Sequence, residues 1–280
     1  MTGVAGTDAS TFATGVAQDA LGRRFTAALT DAGLTRGPGD QSVVSGEELE
    51  ELPATVQRYL GFMGVAGRPR VWSFRAQFRG RFWLRRELGW MSAVAWQYNS
   101  APEIARVFVM RVRVGGIVPM VGCDTYLGGR GRMIGKVFNR LTVVDGHGEE
   151  FDIGELTTYL NDAVLLAPSM LLGPNTTWAE IDDRTFEVTL ADAGRCVTGR
   201  VSIDESGAPS DFSTMDRFAS LPSGLQRAEW HTPVQRWHSG NGRNLPGPVE
   251  AIWLLPDGPL PYVRGEFVPE SLRYNVAPPS

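Results

Sequence analysis

At Ser73 the chain changes its hydrophobic period, and this change constrains the fold more than any other feature. From there Phe74, Ala76, Phe78, Phe82 and Leu84 alternate with Arg75, Gln77, Arg79 and Arg81. A period of two sends successive side chains to opposite faces, so the segment predicts a half-buried antiparallel strand. Gly80 interrupts the apolar series and predicts a bulge or a close approach of another backbone. Further strands are predicted at Ala93 to Tyr98, Val107 to Val114, Asp124 to Leu127 and Met133 to Asn139. A second group follows at Thr185 to Leu190, Cys196 to Ile203, Val249 to Leu255 and Val263 to Val268. Asp204 to Gly207 and Asp257-Gly258 are turn signals.

Helical spacing brackets these strands. Phe12, Val16, Phe25 and Leu29 predict a helix across Phe12 to Leu29, and Glu47 to Leu60 predicts another with Val56, Tyr59 and Leu60 inward. Pro53 fits its first turn or marks a fresh start. Between the strand groups, Leu156, Tyr159, Leu160 and Val164 give Gly154 to Ala167 one apolar helical face, ended by Pro168. This order lacks the β–α alternation of a parallel nucleotide-binding sheet. It predicts a mainly β protein with α elements: a curved antiparallel sheet or incomplete β-barrel wrapped around helices.

A chain of 280 residues with eight Trp and thirteen Phe can and must bury a large core. Its 33 Gly and 18 Pro suit strands joined by tight turns. The net charge of −4 gives no global reason for a nucleic-acid partner, and the local arginines Arg75, Arg79, Arg81, Arg85 and Arg86 read as a solvated sheet face. The N-terminus lacks a basic leader followed by a long apolar run. The most apolar stretch, Ala163 to Leu172, contains Pro168 and Ser169 and is too short to cross a bilayer as a helix. Together these predict a cytoplasmic protein with no integral membrane segment. Cys123 and Cys196 read as reduced thiols, which leaves no cysteine framework.

No motif specifies a reaction. Gly129-Arg-Gly131-Arg-Met-Ile-Gly135 has the wrong spacing for a dinucleotide fingerprint and reads as a hairpin turn; no Gly-Lys-Ser/Thr phosphate loop occurs. No cofactor is therefore expected. His147, His231 and His238 lack an established zinc spacing. The segment Glu229 to His238 concentrates aromatic and polar groups. Trp230 and Trp237 could wall a ligand there, and His231 or His238 could transfer a proton; packing in a loop and edge strand is the plainer reading. Glu155 and Tyr159 are four residues apart on one side of a helix, placed for a general base and an oxygen-orienting hydroxyl or, more simply, for a helix-end contact and packing. Arg111 and Arg113 share a strand face and could hold a carboxylate or pair with Asp124, with external salt bridges as the alternative. Asp182-Asp183 and Ser223-Gly224 supply neither a glycosidase pair nor a hydrolase elbow.

Five stretches carry a resemblance: LPATVQRYL at Leu52 to Leu60, FRGRFWL at Phe78 to Leu84, GRGRM at Gly129 to Met133, GELTTYLNDAV at Gly154 to Val164 and WLLPDGPLPYVRGE at Trp253 to Glu266. They resemble an uncharacterised bacterial family, common in actinobacteria, with a fold like that of periplasmic lipoprotein carriers (LolA-like). The resemblance implies an incomplete antiparallel barrel over helical elements, with an apolar cavity suited to a lipid-like or polycyclic ligand. It supplies no catalytic residues. On this basis residues 1–45 form an N-terminal extension with one helix, residues 46–276 a single LolA-like domain and residues 277–280 a tail. The leading functional expectation is binding of a hydrophobic or amphipathic small molecule, with Arg113, Trp230 and Trp237 in contact. A cofactor-independent cyclase or isomerase using Glu155, Tyr159, His231 or His238 is the first alternative, and a structural or protein-interaction module the second.

Overall fold

The computed structural model describes residues 16, 19–36, 39–83, 89–240 and 242–279; Phe12, Leu84, Arg85 and Arg86 lie outside them. Helix α1 is Ala20–Ala32, α2 Gly46–Glu50 and α3 Ala54–Phe62. An antiparallel meander follows: β1 Ser73–Phe82, β2 Met91–Ser100, β3 Ala105–Val114, β4 Val118–Leu127, β5 Arg130–Val137 and β6 Leu141–His147. Helix α4, Glu149–Leu166, leads through a 3-10 turn to β7 Thr176–Asp182, β8 Thr185–Asp192, β9 Arg195–Ile203 and β10 Pro209–Thr214. The remaining strands are β11 Phe218–Leu221, β12 Gly224–Arg227, β13 Glu229–His231, β14 Trp237–Gly240, β15 Arg243–Pro246, β16 Val249–Leu255, β17 Gly258–Phe267 and β18 Arg273–Tyr274.

The large sheet runs in the order β6-β5-β4-β3-β2-β1-β17-β16-β13-β10-β9-β8-β7, with β18 also on β1. It is a curved, open antiparallel sheet wrapped around helices, as the alternating pattern predicts. Its two edges, β6 and β7, are consecutive strands joined by α4, which lies against the inner face of both arms. The arms meet beside the first turn of α4 through side chains. Tyr126 donates to Asp192 at 2.7 Å, and Arg195 donates to the Gly129 carbonyl at 3.1 Å and to Asp152 at 2.7 Å. Gly131 seats that turn: a Cβ there would lie 2.0 Å from the Phe151 carbonyl oxygen, and its N–H donates to Asp152 at 2.7 Å. The GRGRM stretch is thus a β4–β5 hairpin, turned at Gly128 and Gly129 with positive φ, that docks a helix.

The inner face carries the main core. Phe74, Ala76 and Phe78 of β1, Phe186 and Val188 of β8, Phe212 and Trp230 enclose Leu156, Tyr159, Leu160, Ala163 and Val164 of α4. A second core lies on the outer face, where Phe25 and Leu29 of α1 cover Trp96, Tyr98, Val107 and Val109. Asp19 caps α1 by accepting the Gly22 N–H at 2.8 Å, so Val16, though buried, precedes the helix.

Several boundaries differ from the sequence reading. The helix expected over Glu47 to Leu60 is two helices, because Pro53 has no N–H for the ladder and restrains Leu52. Helix α4 begins five residues before Gly154, with Glu149, Glu150 and Asp152 in its first turn where the helix dipole favours negative charge. On β1, Arg75 and Gln77 are buried rather than solvated. The C-terminal segment covers them: Ser271 Oγ accepts the Gln77 N–H, and the Val276 carbonyl accepts Ser73 Oγ–H. Gly80 is a close approach, since a Cβ would lie 2.2 Å from the Arg264 carbonyl oxygen on β17.

Candidate functional site

Helix α4 is polar where its position calls for apolar side chains. Asp152, Glu155, Asn161 and Asp162 are all buried, and a buried carboxylate must find a cation or share a proton. Arg106 of β3 supplies the cation. Its Nη1 donates to Glu155 at 3.0 Å and its Nε to Asp162 at 2.7 Å, with both ends of each pair nearly water-free. Asn99 donates to Asp162 at 3.4 Å and accepts from Gln97 at 3.0 Å. The guanidinium also lies 4.9 Å from the Phe108 ring centroid.

Asp124 of β4 sits opposite Phe108 in register and therefore on this same inner face. Burial, and then the charge of Glu155, push its carboxyl up to about 7, against the pull of Arg106 and Arg217. Burial raises Glu155 and Asp162 as well. Arg106 itself is held protonated: burial opposes its charge, but Asp162, Glu155 and Asp124 outweigh it. Glu155 and Asp162 touch Arg106 directly, and Asp124 stands beside them in the same acid cluster.

Arg217, in the turn before β11, links this cluster to the aromatic wall. It lies 4.2 Å from the ring centroid of Trp230 and 5.6 Å from that of Trp253. Trp253 stacks on Tyr262 at 6.1 Å, and Trp230 Nε1 donates to the Tyr262 hydroxyl at 3.0 Å. Arg217 also lines a cavity of about 40 Å³ together with Glu155, Met133, Phe151, Phe218 and Leu225. A single water needs roughly 10–15 Å³ and a ligand pocket about 300–1,000 Å³. This space holds a few waters. The large apolar cavity expected in the barrel is, in this conformation, the place where α4 sits.

The other predicted residues take distinct places. Tyr159 is buried on α4, its hydroxyl raised by burial and by Asp192 and Asp162. His231 of β13 is half-buried, 2.6 Å from Asp211 and 3.2 Å from Glu229; the Asp211 hydrogen bond raises its pKa. It neighbours Trp230 in sequence and points to the other face of the strand. His238 is exposed on β14. Trp237 packs edge-on against Phe62 of α3 at 5.4 Å and donates to the Pro209 carbonyl. Arg113 is exposed near the end of β3. Arg111 and Arg113 share the outer face, so Arg111 meets Asp19 at 3.7 Å and neither reaches the face of Asp124. Among the described residues no three His, Cys, Asp or Glu side chains are placed to hold a metal ion.

Arg106, Asp162, Asp124 and Arg217 are the members that sequence reasoning did not select as site residues. One signal was present: Glu155 and Asp162 are seven apart, two turns on one helix face. Arg106 shares the period of Phe108 and Met110, while Val107 and Val109 make the opposite face equally apolar.

No curated protein matches the chain in sequence. Among solved structures it is similar to a LolA-superfamily protein from Nitrosomonas europaea, with 11% identity and a TM-score of 0.40 over 83% of this chain and 94% of that one. A putative outer membrane lipoprotein-sorting protein domain from Vibrio parahaemolyticus gives 9% identity and 0.39 over 81% and 91%. A β-barrel-like protein of the domain of unknown function DUF1849 from Brucella abortus gives 12% and 0.31 over 73% and 98%. These are distant likenesses of fold. Against the cytoplasmic expectation, two of these structures bear the names of the LolA superfamily and of outer membrane lipoprotein sorting. With the family profile matched over residues 42–265, the chain belongs to DUF6544, a family of unknown function.

Proposed function

We propose that the protein binds an amphipathic small molecule at the mouth of the inner face, where α4 meets the β11–β12 hairpin. The observation that carries this reading is Arg217, which lines one small space with Glu155 while stacking over Trp230 and Trp253. An apolar body would lie along Trp253, Tyr262 and Phe218, and a polar end would reach Arg217, Glu155 and Asp124. Room for it comes from the hairpin. β11 and β12 pair only with each other, Leu225 is exposed at their turn, and an isolated two-stranded ribbon is marginally stable.

Native mass spectrometry of freshly purified protein tests this, followed by denaturation and accurate mass of any released compound. A stoichiometric amphiphile on the wild type that is missing from Arg217→Ala supports the site. Retention by Arg217→Ala moves the ligand elsewhere. If no compound co-purifies, and added long-chain amphiphiles leave tryptophan fluorescence unchanged, the reading fails.

The position of Asp124 favours a second reading, a cofactor-independent isomerase or cyclase. A carboxyl poised near neutral pH beside a second carboxylate and two arginines can take up and return a proton. In that case Asp124→Asn keeps the ligand and stops its conversion. A bound compound recovered unchanged after prolonged incubation with the wild type excludes the reading.

A further inference from the structure

The first arm of the sheet ends in two neighbouring hairpin tips with the same three-residue loop. In the β3–β4 loop, Gly115 and Gly116 have φ of 58° and 77°, and the Ile117 N–H closes the turn on the Val114 carbonyl at 3.2 Å. In the β5–β6 loop, Phe138 and Asn139 have φ of 49° and 61°, and Arg140 closes on Val137 at 3.1 Å. The tips touch, because the Phe138 N–H donates to the Pro119 carbonyl at 3.0 Å.

Glycine and asparagine are the residues such a turn selects; a bulky aromatic in the left-handed region is an outlier. Phe138 adopts it and is still 62% exposed, so the strain is not offset by burial. Ile117 is 85% and Leu141 66% exposed beside it, and Val143 is exposed on β6. Four of the nine exposed large apolar residues among those described thus fall on these two adjacent hairpins.

Both hairpins are basic in sequence. Arg113 and Arg140 are exposed and Lys136 half-buried, and no acidic residue occurs from Ala105 to Cys123 or from Gly128 to Val144. Asp145, the next acid along, is engaged by Arg132 at 3.1 Å. This concentration stands out in a chain of net charge −4. Apolar side chains at the extremity with cations set just behind match the layering of an anionic bilayer, acyl boundary below and phosphates above.

We infer that the β3–β4 and β5–β6 tips dock the protein on an anionic phospholipid surface, with Ile117, Phe138 and Leu141 entering the interface and Arg113, Lys136 and Arg140 contacting phosphates. This inference stands independently of the small-molecule site. Cosedimentation of the full chain with phosphatidylcholine vesicles, with and without one third phosphatidylglycerol, tests it. Binding to the anionic vesicles should fall as salt is raised. It should weaken about ten-fold or more in Phe138→Gly, the scale of losing one buried aromatic side chain. Phe138→Gly removes the strain, so its thermal midpoint should equal or exceed that of the wild type, which separates lost binding from lost folding. The triple change Arg113→Gln, Lys136→Gln, Arg140→Gln should flatten the salt dependence. Absence of wild-type binding to anionic vesicles, or binding undiminished by Phe138→Gly, overturns the inference. If lipid never binds and Phe138→Gly instead converts a dimer to a monomer, the tip is a self-association surface and the inference is likewise overturned.

Discussion

Strands β2, β3 and β4 carry two helices on opposite faces, and the two contacts are built from opposite materials. On the outside, α1 lays Phe25 on Trp96 at a ring separation of 5.9 Å and packs Leu29 with it, over Tyr98, Val107 and Val109. On the inside, α4 meets the same strands through Glu155 and Asp162 on Arg106, with Asp124, Asn99 and Gln97 around them. The outer contact is mainly apolar, with the Arg111–Asp19 ion pair beside it. The inner one places charges where apolar groups of the same volume would hold the fold at least as well. That contrast marks the inner contact as the one whose chemistry needs a reason other than stability.

The largest effect that can break this comparison is removal of the shared cation. Arg106→Ala leaves Glu155 and Asp162 buried without it and should lower unfolding free energy by about 3–5 kcal/mol in urea titrations. Replacing all three together by leucine should restore wild-type stability or exceed it by about 1–4 kcal/mol. If the single change costs almost nothing, the inner charges are solvated and the contrast disappears.

On the outer face, Leu29→Ala should cost about 2–5 kcal/mol through a plain cavity. Measured at pH 5 and at pH 8, that cost should be the same; a pH-dependent cost would tie α1 to the inner charges. The effect at Asp124 shows only as a dependence on pH. Its carboxyl titrates near 7 in the folded chain against an ordinary 3.8, so the native state holds the extra proton between those values. Stability from this group is complete below about pH 4 and lost as pH rises through 7. Asp124→Asn should therefore raise the melting temperature at pH 8, leave it nearly unchanged at pH 4 and flatten the profile between; an unchanged slope refutes the assignment of the proton to Asp124.

What the sequence made legible depends on how long each pattern runs. β16 spans the predicted Val249 to Leu255 because seven residues of one period are stopped by Asp257-Gly258, and Gly258 has φ 108°. β11 to β15 have three or four residues each and no measurable period, so the sequence offers only an edge strand within Glu229 to His238 for this stretch. The site failed on a finer point. Arg106, Arg111 and Arg113 lie on one strand at two parities. Only the helix that covers each face decides which arginine is interior, and that is a long-range fact. Glu155 and Tyr159 are legible as helix positions because α4 keeps helical spacing, while Arg217 sits in a turn with nothing periodic about it.

The join between the two arms has one further consequence. Arg195, Tyr126, Asp192 and Asp152 hold it, and no backbone ladder crosses it. A closed barrel can open only by unzipping a row of main-chain hydrogen bonds, each of which must then find water. Here parting the rims would break side-chain hydrogen bonds rather than a main-chain ladder, and would draw one arm away from the buried face of α4 that both arms share. The join is therefore a latch of side chains, and releasing it would leave every strand with its partners.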